Sequence, residues 1–422
     1  MEKALYMGID FGNETSQVSF YNYKEGEPTG VDFSGLETKY QIPTVISKTV
    51  GQEQWFIGDE ARKCADLGEA RLVDDLVVKA LNREPVIVDD ISMMPVELVR
   101  IFFDNLIQSV KLLSGMEELG KICITLEDFH IGILNILTQA LMEIGIPRKD
   151  ILLCGREESY IYYALSQKKE LWQSDVALFD FEEKGLRYYH LYMVTDHGQR
   201  IVMTHEESLE EEVPYVLMGN TASAELLDDR LLRCAKRLFE HKNVGTVYLT
   251  GKGFEGELHI PNFLRFICER RRVFAGQNLY TKGACYQAYE ASRENSLFKE
   301  IILACPQRIT TGVEVKIQSR GRDKILRLVK PGENWYGADV SVDFILDDVK
   351  ELELFLSPLD SREKQVARIS LEDFPERPNK ATRITLKMSF TGDSRCHVLI
   401  LDRGFGDFFA GSGRVITEEL LL

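Results

Sequence analysis

The sequence predicts an α/β region over residues 1–304 followed by an all-β sandwich over residues 305–422. Three observations carry that prediction. Up to about residue 300, hairpin-like strand pairs mix with strand–helix units, the grammar of an α/β fold. From about residue 306, seven short strand-like runs follow one another with turn residues between them, the grammar of a sandwich. The 422 residues, 44% hydrophobic and 28% charged, give length for two or three domains and an ordinary globular composition.

Residues 5–10, the turn at 11–15 and residues 16–21 read as strand, turn and strand, with apolar side chains alternating in the second arm. Extended runs follow at 40–47 and 54–58. Residues 59–115 read as largely helical, and Pro95 suits the first turn of a helix. Residues 121–126 read as a buried strand, 131–144 as a helix that covers the sheet, 151–154 as a short strand and 157–167 as a helix. Residues 176–180 and 187–194 pair as a hairpin. Residues 195–227 are acidic and irregular. Helices at 228–241, 261–272 and 282–291 accompany a strand at 244–250. The sandwich strands fall at 312–318, 324–329, 340–346, 351–356, 366–371, 383–390 and 396–401, and the boundary between the two regions lies near residues 304–308.

Charge and composition exclude several functions. The chain has 51 Lys+Arg against 67 Asp+Glu, a net charge of -16. So acidic a surface repels nucleic-acid phosphates and anionic lipids, so neither nucleic acid nor a membrane is expected as a partner. The basic stretch 269–272 reads as a solvated helix end, and the acidic run 206–212 as a solvated loop or helix face. No apolar run reaches the roughly 18 residues of a membrane span. The first six residues have no signal-peptide pattern, so a cytoplasmic location is expected. Eight cysteines stand singly with no CxxC pair, as buried thiols in a reducing compartment do. Seven dispersed histidines offer no zinc spacing, and no GxSxG elbow supports a serine hydrolase.

One constellation points to chemistry. Asp10 stands at a strand end, followed by the turn Gly12, Asn13, Glu14 and Thr15. A small residue in such a turn lets backbone N–H groups approach a phosphate, and the aspartate can hold a hydrated Mg²⁺ beside it. A second strand runs into Gly251, Lys252, Gly253 and Phe254, another place where backbone can approach a flat ligand. Glu157 begins a helix and Asp180 ends a strand, so three carboxylates stand at element ends in separate units.

In order and context these segments resemble the superfamily of actin, sugar kinases and the seventy-kilodalton heat-shock chaperones, most of all the chaperone branch. Residues 8–16 resemble its first phosphate loop, 42–45 and 57–61 its proline strand and following helix start, and 156–160 the connecting helix that begins with glutamate. Residues 176–180 resemble the second phosphate strand, 251–254 the adenosine loop, and 282–288 the helix after it. The resemblance spans residues 4–291. It implies a two-lobed actin-like ATPase domain of ribonuclease H-like fold, with lobes of about 1–155 and 156–304 and ATP or ADP with Mg²⁺ between them. It implies that Asp10 and Asp180 place the metal, Thr15 meets phosphate, Lys79 orients the attacking water and Glu157 supports the metal's water shell. The chaperones' substrate domain is itself a β-sandwich; residues 305–422 are read first as a structural or partner-docking module, with a protein or peptide client held through the β domain as the other reading.

The match fails at the second phosphate loop. The family has consecutive glycines after the strand aspartate, whereas this chain has Glu182, Glu183 and Lys184. Carboxylates within ~4 Å of a triphosphate oppose it by several kcal/mol, and their side chains block the backbone. Lys184 offsets part of this but does not replace a row of N–H donors. Residues 195–227 are also too short for the helical subdomain that clamps adenine in the chaperones. The expectation is a chaperone-like protein, nucleotide-responsive, with weak or lost ATPase activity. An active peptide-binding ATPase and an interaction protein with a vestigial cleft remain the alternatives.

Overall fold

Alternating burial makes Thr15–Asn22 a half-buried strand, and Gly12 lets the chain reverse before it. A Cβ at Gly12 would lie 2.6 Å from the Thr15 carbonyl oxygen, so the turn closes only around a glycine. The computed structural model describes every residue except 1–3, 34–39, 89, 197, 220–223, 257, 360 and 362. The first three residues of the signal-peptide reading, and one of the seven histidines, lie outside the described residues. The chain divides into two compact units, Met1–Val194 with Thr204–Glu300, and Thr195–Met203 with Ile301–Leu422. Among the described residues no helix is long and apolar enough to cross a membrane.

The first unit opens with β1 (Leu5–Phe11), β2 (Thr15–Asn22), β3 (Glu27–Gly30) and β4 (Gln41–Pro43). A small sheet follows, made of β5 (Ile46–Thr49), β6 (Trp55–Ile57) and β7 (Ala70–Val73), with α1 (Gly58–Asp66) between the last two. Then come α2 (Leu76–Asn82), a hairpin of β8 (Val86–Val88) and β9 (Ile91–Met93), α3 (Pro95–Ser114), β10 (Leu119–Leu126), α4 (Ile131–Glu143), β11 (Ile151–Gly155) and α5 (Arg156–Ser166). Residues 59–115, expected as largely helical, thus include β7 and a hairpin. Pro85 and Pro95 bracket that hairpin, and a proline amide cannot continue a helix. The second half repeats the plan: β12 (Asp175–Glu182), β13 (Gly185–Asp196), β14 (Gln199–Ser208), α6 (Ala224–Phe239), β15 (Val244–Thr250), α7 (Pro261–Cys268), β16 (Arg272–Ala275) and α8 (Leu279–Glu290).

The two sheets share one topology. The first runs β3-β2-β1-β10-β11 and the second β14-β13-β12-β15-β16. In each the opening hairpin is antiparallel, and the next strand joins its first arm in parallel. In each a helix follows the last strand: α5 after β11 and α8 after β16. Strand β14 takes residues 199–208 of the stretch 195–227 that was expected to be irregular. Of the arginines at 270–272, read as a solvated helix end, Arg270 and Arg272 are exposed but lie beyond the helix, and Arg271 is packed. Helix α7 stops at Cys268, Arg271 lies over the rings of Phe239 and Phe266 at 4.7 and 5.3 Å, and Arg272 opens β16.

Helix α8 ties the halves together. A Cβ at Gly8 in β1 would meet the backbone of α8, 2.2 Å from the Cys285 nitrogen and the Thr281 oxygen. A Cβ at Gly283 would sit 2.0 Å from the Ser159 carbonyl oxygen in α5. The hydroxyl of Thr281 donates to the Gly8 oxygen at 2.8 Å, and that of Ser159 to the Tyr280 oxygen. The helix is therefore laid directly on a strand at one glycine and against another helix at the other.

The second unit contains β17 (Ile301–Ala304), parallel to residues 200–203 of β14, and two antiparallel sheets. One orders β18 (Thr311–Ser319), β19 (Arg322–Val329), β21 (Glu351–Pro358) and β22 (Gln365–Ser370) as β19-β18-β21-β22. The other pairs β20 (Val340–Ile345) with β23 (Arg383–Phe390), and β23 with β24 (Arg395–Phe405). Strand β24 also takes β25 (Phe409–Ala410) and β26 (Val415–Leu421). Every second residue of β23 and β24 is buried at Leu386, Met388, Val398 and Ile400, so that sheet hides one face. A bidentate Arg377–Asp402 pair, at 2.7 Å for both bonds, holds the turn after β24, with Gly404 and Ser412 N–H groups donating to the same carboxylate. Phe408 beyond it is 94% exposed.

The contact at Gly283 leaves no room for even one methyl. Gly283→Ala is expected to part α5 from α8 and lower stability by about 1–3 kcal/mol. Gly276→Ala, where a Cβ meets nothing within 4 Å, is expected to be near neutral. Urea denaturation of both variants checks this, and equal midpoints would refute the close approach.

Candidate functional site

Because β1 and β12 occupy the same place in their sheets, their ends bring Asp10 and Asp180 to Arg156, where Asp10 lines a cleft and Asp180 is buried off its lining. That cleft has a volume of about 360 Å³. Its lining takes all of the first turn, Gly12, Asn13, Glu14 and Thr15, together with Asp10, Glu182, Glu183, Lys184 and Lys252. The turn is fixed partly from outside, since Asn13 Nδ2 donates to Asp75 Oδ1 at 2.8 Å.

Arg156, the first residue of α5, stands between the carboxylates. Its guanidinium donates to Asp10 Oδ2 at 3.3 Å and lies 3.5 Å from Glu127 Oε2 and 4.0 Å from Asp180 Oδ2. It also lies over the Tyr280 ring, 4.9 Å from its centroid. The Tyr280 hydroxyl donates to Asp180 Oδ2 at 2.7 Å. Each aspartate keeps one buried oxygen, Oδ1, without a hydrogen-bond partner. Burial pushes both carboxyls above their usual range, and the Arg156 charge pulls back against it. Burial likewise opposes the charge on Arg156, but Asp10 and Asp180 outweigh it and hold the guanidinium firmly charged.

The second loop is a tight reversal. Glu182 pairs with Gly185 across it, leaving Glu183 and Lys184 at the tip. Lys184 Nζ donates to Glu127 Oε1 at 2.8 Å, and Arg187 reaches the same oxygen at 3.0 Å. Burial opposes the charge on Glu127, but Arg156, Lys184 and Arg187 overcome it and hold its carboxyl below the usual range. Lys252 Nζ donates to Glu183. Glu182 is pushed up to about 7 by burial and by neighbouring Asp180, against the pull of Arg156 and Lys252. The acidic run 206–212, which begins within β14, is not merely solvated: Glu210 accepts from Arg187 at 3.0 Å, and Glu212 from Arg237 at 3.0 Å.

Several expected residues stand elsewhere. Lys79 does not line the cleft. Its Nζ donates to the Asp74 backbone oxygen at 2.7 Å and to Asp74 Oδ1 at 3.1 Å, bonds formed within the chain's own turn. Glu157 is buried and accepts from the Thr204 hydroxyl at 3.3 Å, also off the cleft lining. Of the second glycine turn only Lys252 reaches the cleft. Gly251 faces β12, where a Cβ would lie 2.5 Å from the Phe181 oxygen. Its N–H and carbonyl are both taken by the Gln277 amide at 3.2 Å. Gly253 packs on the Phe181 ring, and Phe254 stacks with Phe263. Among the described residues no three His, Cys, Asp or Glu side chains are grouped to hold a metal ion.

Sequence reasoning passed over Arg156, Glu127 and Tyr280. Arg156 did carry a signal. A cation in the first turn of a helix opposes the helix dipole, so an arginine there needs carboxylates close by. Glu127 and Tyr280 belong to no pattern short enough to read.

Comparison with known families adds the following. Residues 308–422 match a domain of unknown function (DUF8552). No curated protein matches the chain. Residues 27–306 match the family of unknown function (DUF5716) C-terminal, and with that match spanning well over half of its length, the chain belongs to this family.

Proposed function

We propose that this chain is an actin-like, heat-shock-chaperone-related protein whose cleft does not hydrolyse ATP. It serves as a cytoplasmic scaffold, and its C-terminal β domain, read as a sandwich, holds a protein or peptide partner. The repeated strand order of the two sheets supports the actin-like reading, because the resemblance implies two lobes built alike around a cleft. The observation that carries the loss of hydrolysis is Arg156. Its guanidinium occupies the space between Asp10 and Asp180, where the resemblance places Mg²⁺.

These residues do not fit a metal-bound triphosphate. A second cation beside a buried guanidinium meets repulsion instead of free carboxylates. Side chains at Glu183 and Lys184 replace the open backbone of a phosphate loop. Lys79, bound to Asp74, is not placed to orient a water. Charge stabilisation and positioning, on which phosphoryl transfer rests, are both missing.

Titrating the purified protein with MgATP and MgADP tests the reading directly. The expected outcome is no binding heat at micromolar protein and no phosphate release above buffer. Micromolar binding with phosphate release that Lys79→Ala abolishes would overturn it.

The position of Arg156 makes its own prediction. Arg156→Ala leaves two buried carboxylates facing one another and is expected to cost about 3–5 kcal/mol. Mn²⁺ is then expected to raise the melting temperature of the variant and not of the wild type. Equal stabilisation of both proteins would show that the guanidinium does not hold the metal's place.

Glu182 sets a pH dependence. Its folded pKa of about 7 lies above the ordinary carboxylate value. The folded state therefore keeps a proton that the unfolded chain gives up, and stability from this group declines as pH rises from about 4.5 through 7. Glu182→Gln is expected to remove about 2 kcal/mol of that decline. Urea midpoints at pH 5 and pH 8 measure it, and parallel profiles for wild type and variant would refute the assignment.

A further inference from the structure

We infer that a pocket formed by α3, the strands β5 and β6 and the hairpin strand β9 binds a free α-amino acid with an apolar side chain. No residue lines both this pocket and the Asp10 cleft, so the inference stands apart from what the cleft takes.

The pocket has a volume of about 270 Å³. In β5 and β6, Lys48 stands opposite Trp55 across the antiparallel ladder, so the two side chains share a face. Helix α3 adds Arg100 and Asp104, about one helical turn apart. Four charges meet there, and the fold balances two of them. Lys48 is only 3% exposed, and its Nζ lies 3.1 Å from Glu53 Oε1. The other two are unmatched. The half-buried side chains of Arg100 and Asp104 make no hydrogen bond or ion pair among the described residues, with each other included. A cation placed four residues before an anion is the weaker order on a helix. The Trp55 indole N–H likewise has no partner among the described residues.

These unused groups match the two ends of a zwitterion. The planar fork of Arg100 suits an α-carboxylate, and the indole N–H is a further donor for it. An α-ammonium brings three donors to Asp104. A simple anion is opposed by Asp104, and a simple cation by Arg100. The rest of the lining sets the side chain. Ile91 and Met93 of β9, Ile101 of α3 and the Trp55 ring are apolar, and such walls add affinity for a hydrocarbon body.

L-Leucine is the probe. Isothermal titration into the full chain is expected to give one site with a dissociation constant below about 1 mM. Isoamylamine lacks the carboxylate, 4-methylpentanoate lacks the ammonium and glycine lacks the side chain. Each is expected to bind at least tenfold more weakly than leucine. Arg100→Gln and Asp104→Asn are each expected to weaken leucine at least tenfold while leaving the urea midpoint unchanged, since neither side chain has a partner to lose. Should one of them fail to fold, the other decides. Glu14→Gln, in the separate cleft, is expected to leave leucine binding as it is. No heat with millimolar leucine would overturn the inference. So would equal affinity for the amine or the acid, affinity unchanged in every folded pocket variant, or weakening by Glu14→Gln, which would put the ligand in the cleft.

Discussion

A guanidinium buried at the start of a helix is the constraint around which the first unit is built. Arg156 begins α5, where the helix's partial positive charge opposes it, and it is taken out of water. Neither penalty is small, since the effective cost of burying an ion is several kcal/mol. Only several carboxylates together offset it. They come from the end of β1 (Asp10), the segment after β10 (Glu127) and the end of β12 (Asp180). One cation therefore ties both sheets to α5, and Tyr280 on α8 closes the ring by bonding Asp180 and lying under the guanidinium. Removing Arg156 leaves Asp10 and Asp180 buried with no ion-pair partner among the described residues.

The backbone geometry that permits this is decided elsewhere, at Gly8 and Gly283. Helix α8 reaches β1 and α5 only because neither glycine carries a Cβ. With α8 so close, Tyr280 and Gln277 are delivered to the cleft at its N-terminal end. Gln277 takes both backbone groups of Gly251, which turns a potential ligand-facing loop into a packed corner. A glycine-rich turn after a strand thus has two physical uses. Here Gly251 and Gly253 admit the strand β12 and the Phe181 ring, and leave no open backbone for a ligand.

Much of the first unit was readable because its signals are local. The hairpins at 5–22 and 175–194 show alternation over several residues, and a strand followed by Asp and Gly is a short pattern. The hairpin at 86–93 was hidden because its strands are three residues long and too short for alternation to show. Strand β26 escaped for another reason: its side chains are mostly exposed, so its sequence lacks the apolar beat of a half-buried strand. In the site, Asp10 and the first turn were legible from one segment. The roles of Lys79 and Glu157 were placed by resemblance, and the fold turns Lys79 to neighbouring Asp74 and Glu157 to Thr204. Arg156 with Glu127 and Tyr280 was not legible, because pairs separated by 29 to 124 positions leave no local trace.

The two hairpins at the cleft show how one topology yields opposite chemistry. Each is the first antiparallel pair of its sheet, and each puts an aspartate beside the cleft. At the first, Gly12 closes the turn with little side-chain bulk. At the second, Glu183 and Lys184 form the tip, and each finds a partner of opposite charge across the cleft wall. Those pairs do in side-chain chemistry what a bound anion and metal do in a phosphate loop: they neutralise the cleft and hold its sides. The cleft's own side chains thus hold one another's charges in place. Glu14 and Asp128, exposed on the same lining, stand outside these pairs, so the pairing is a property of the second hairpin and not of the first.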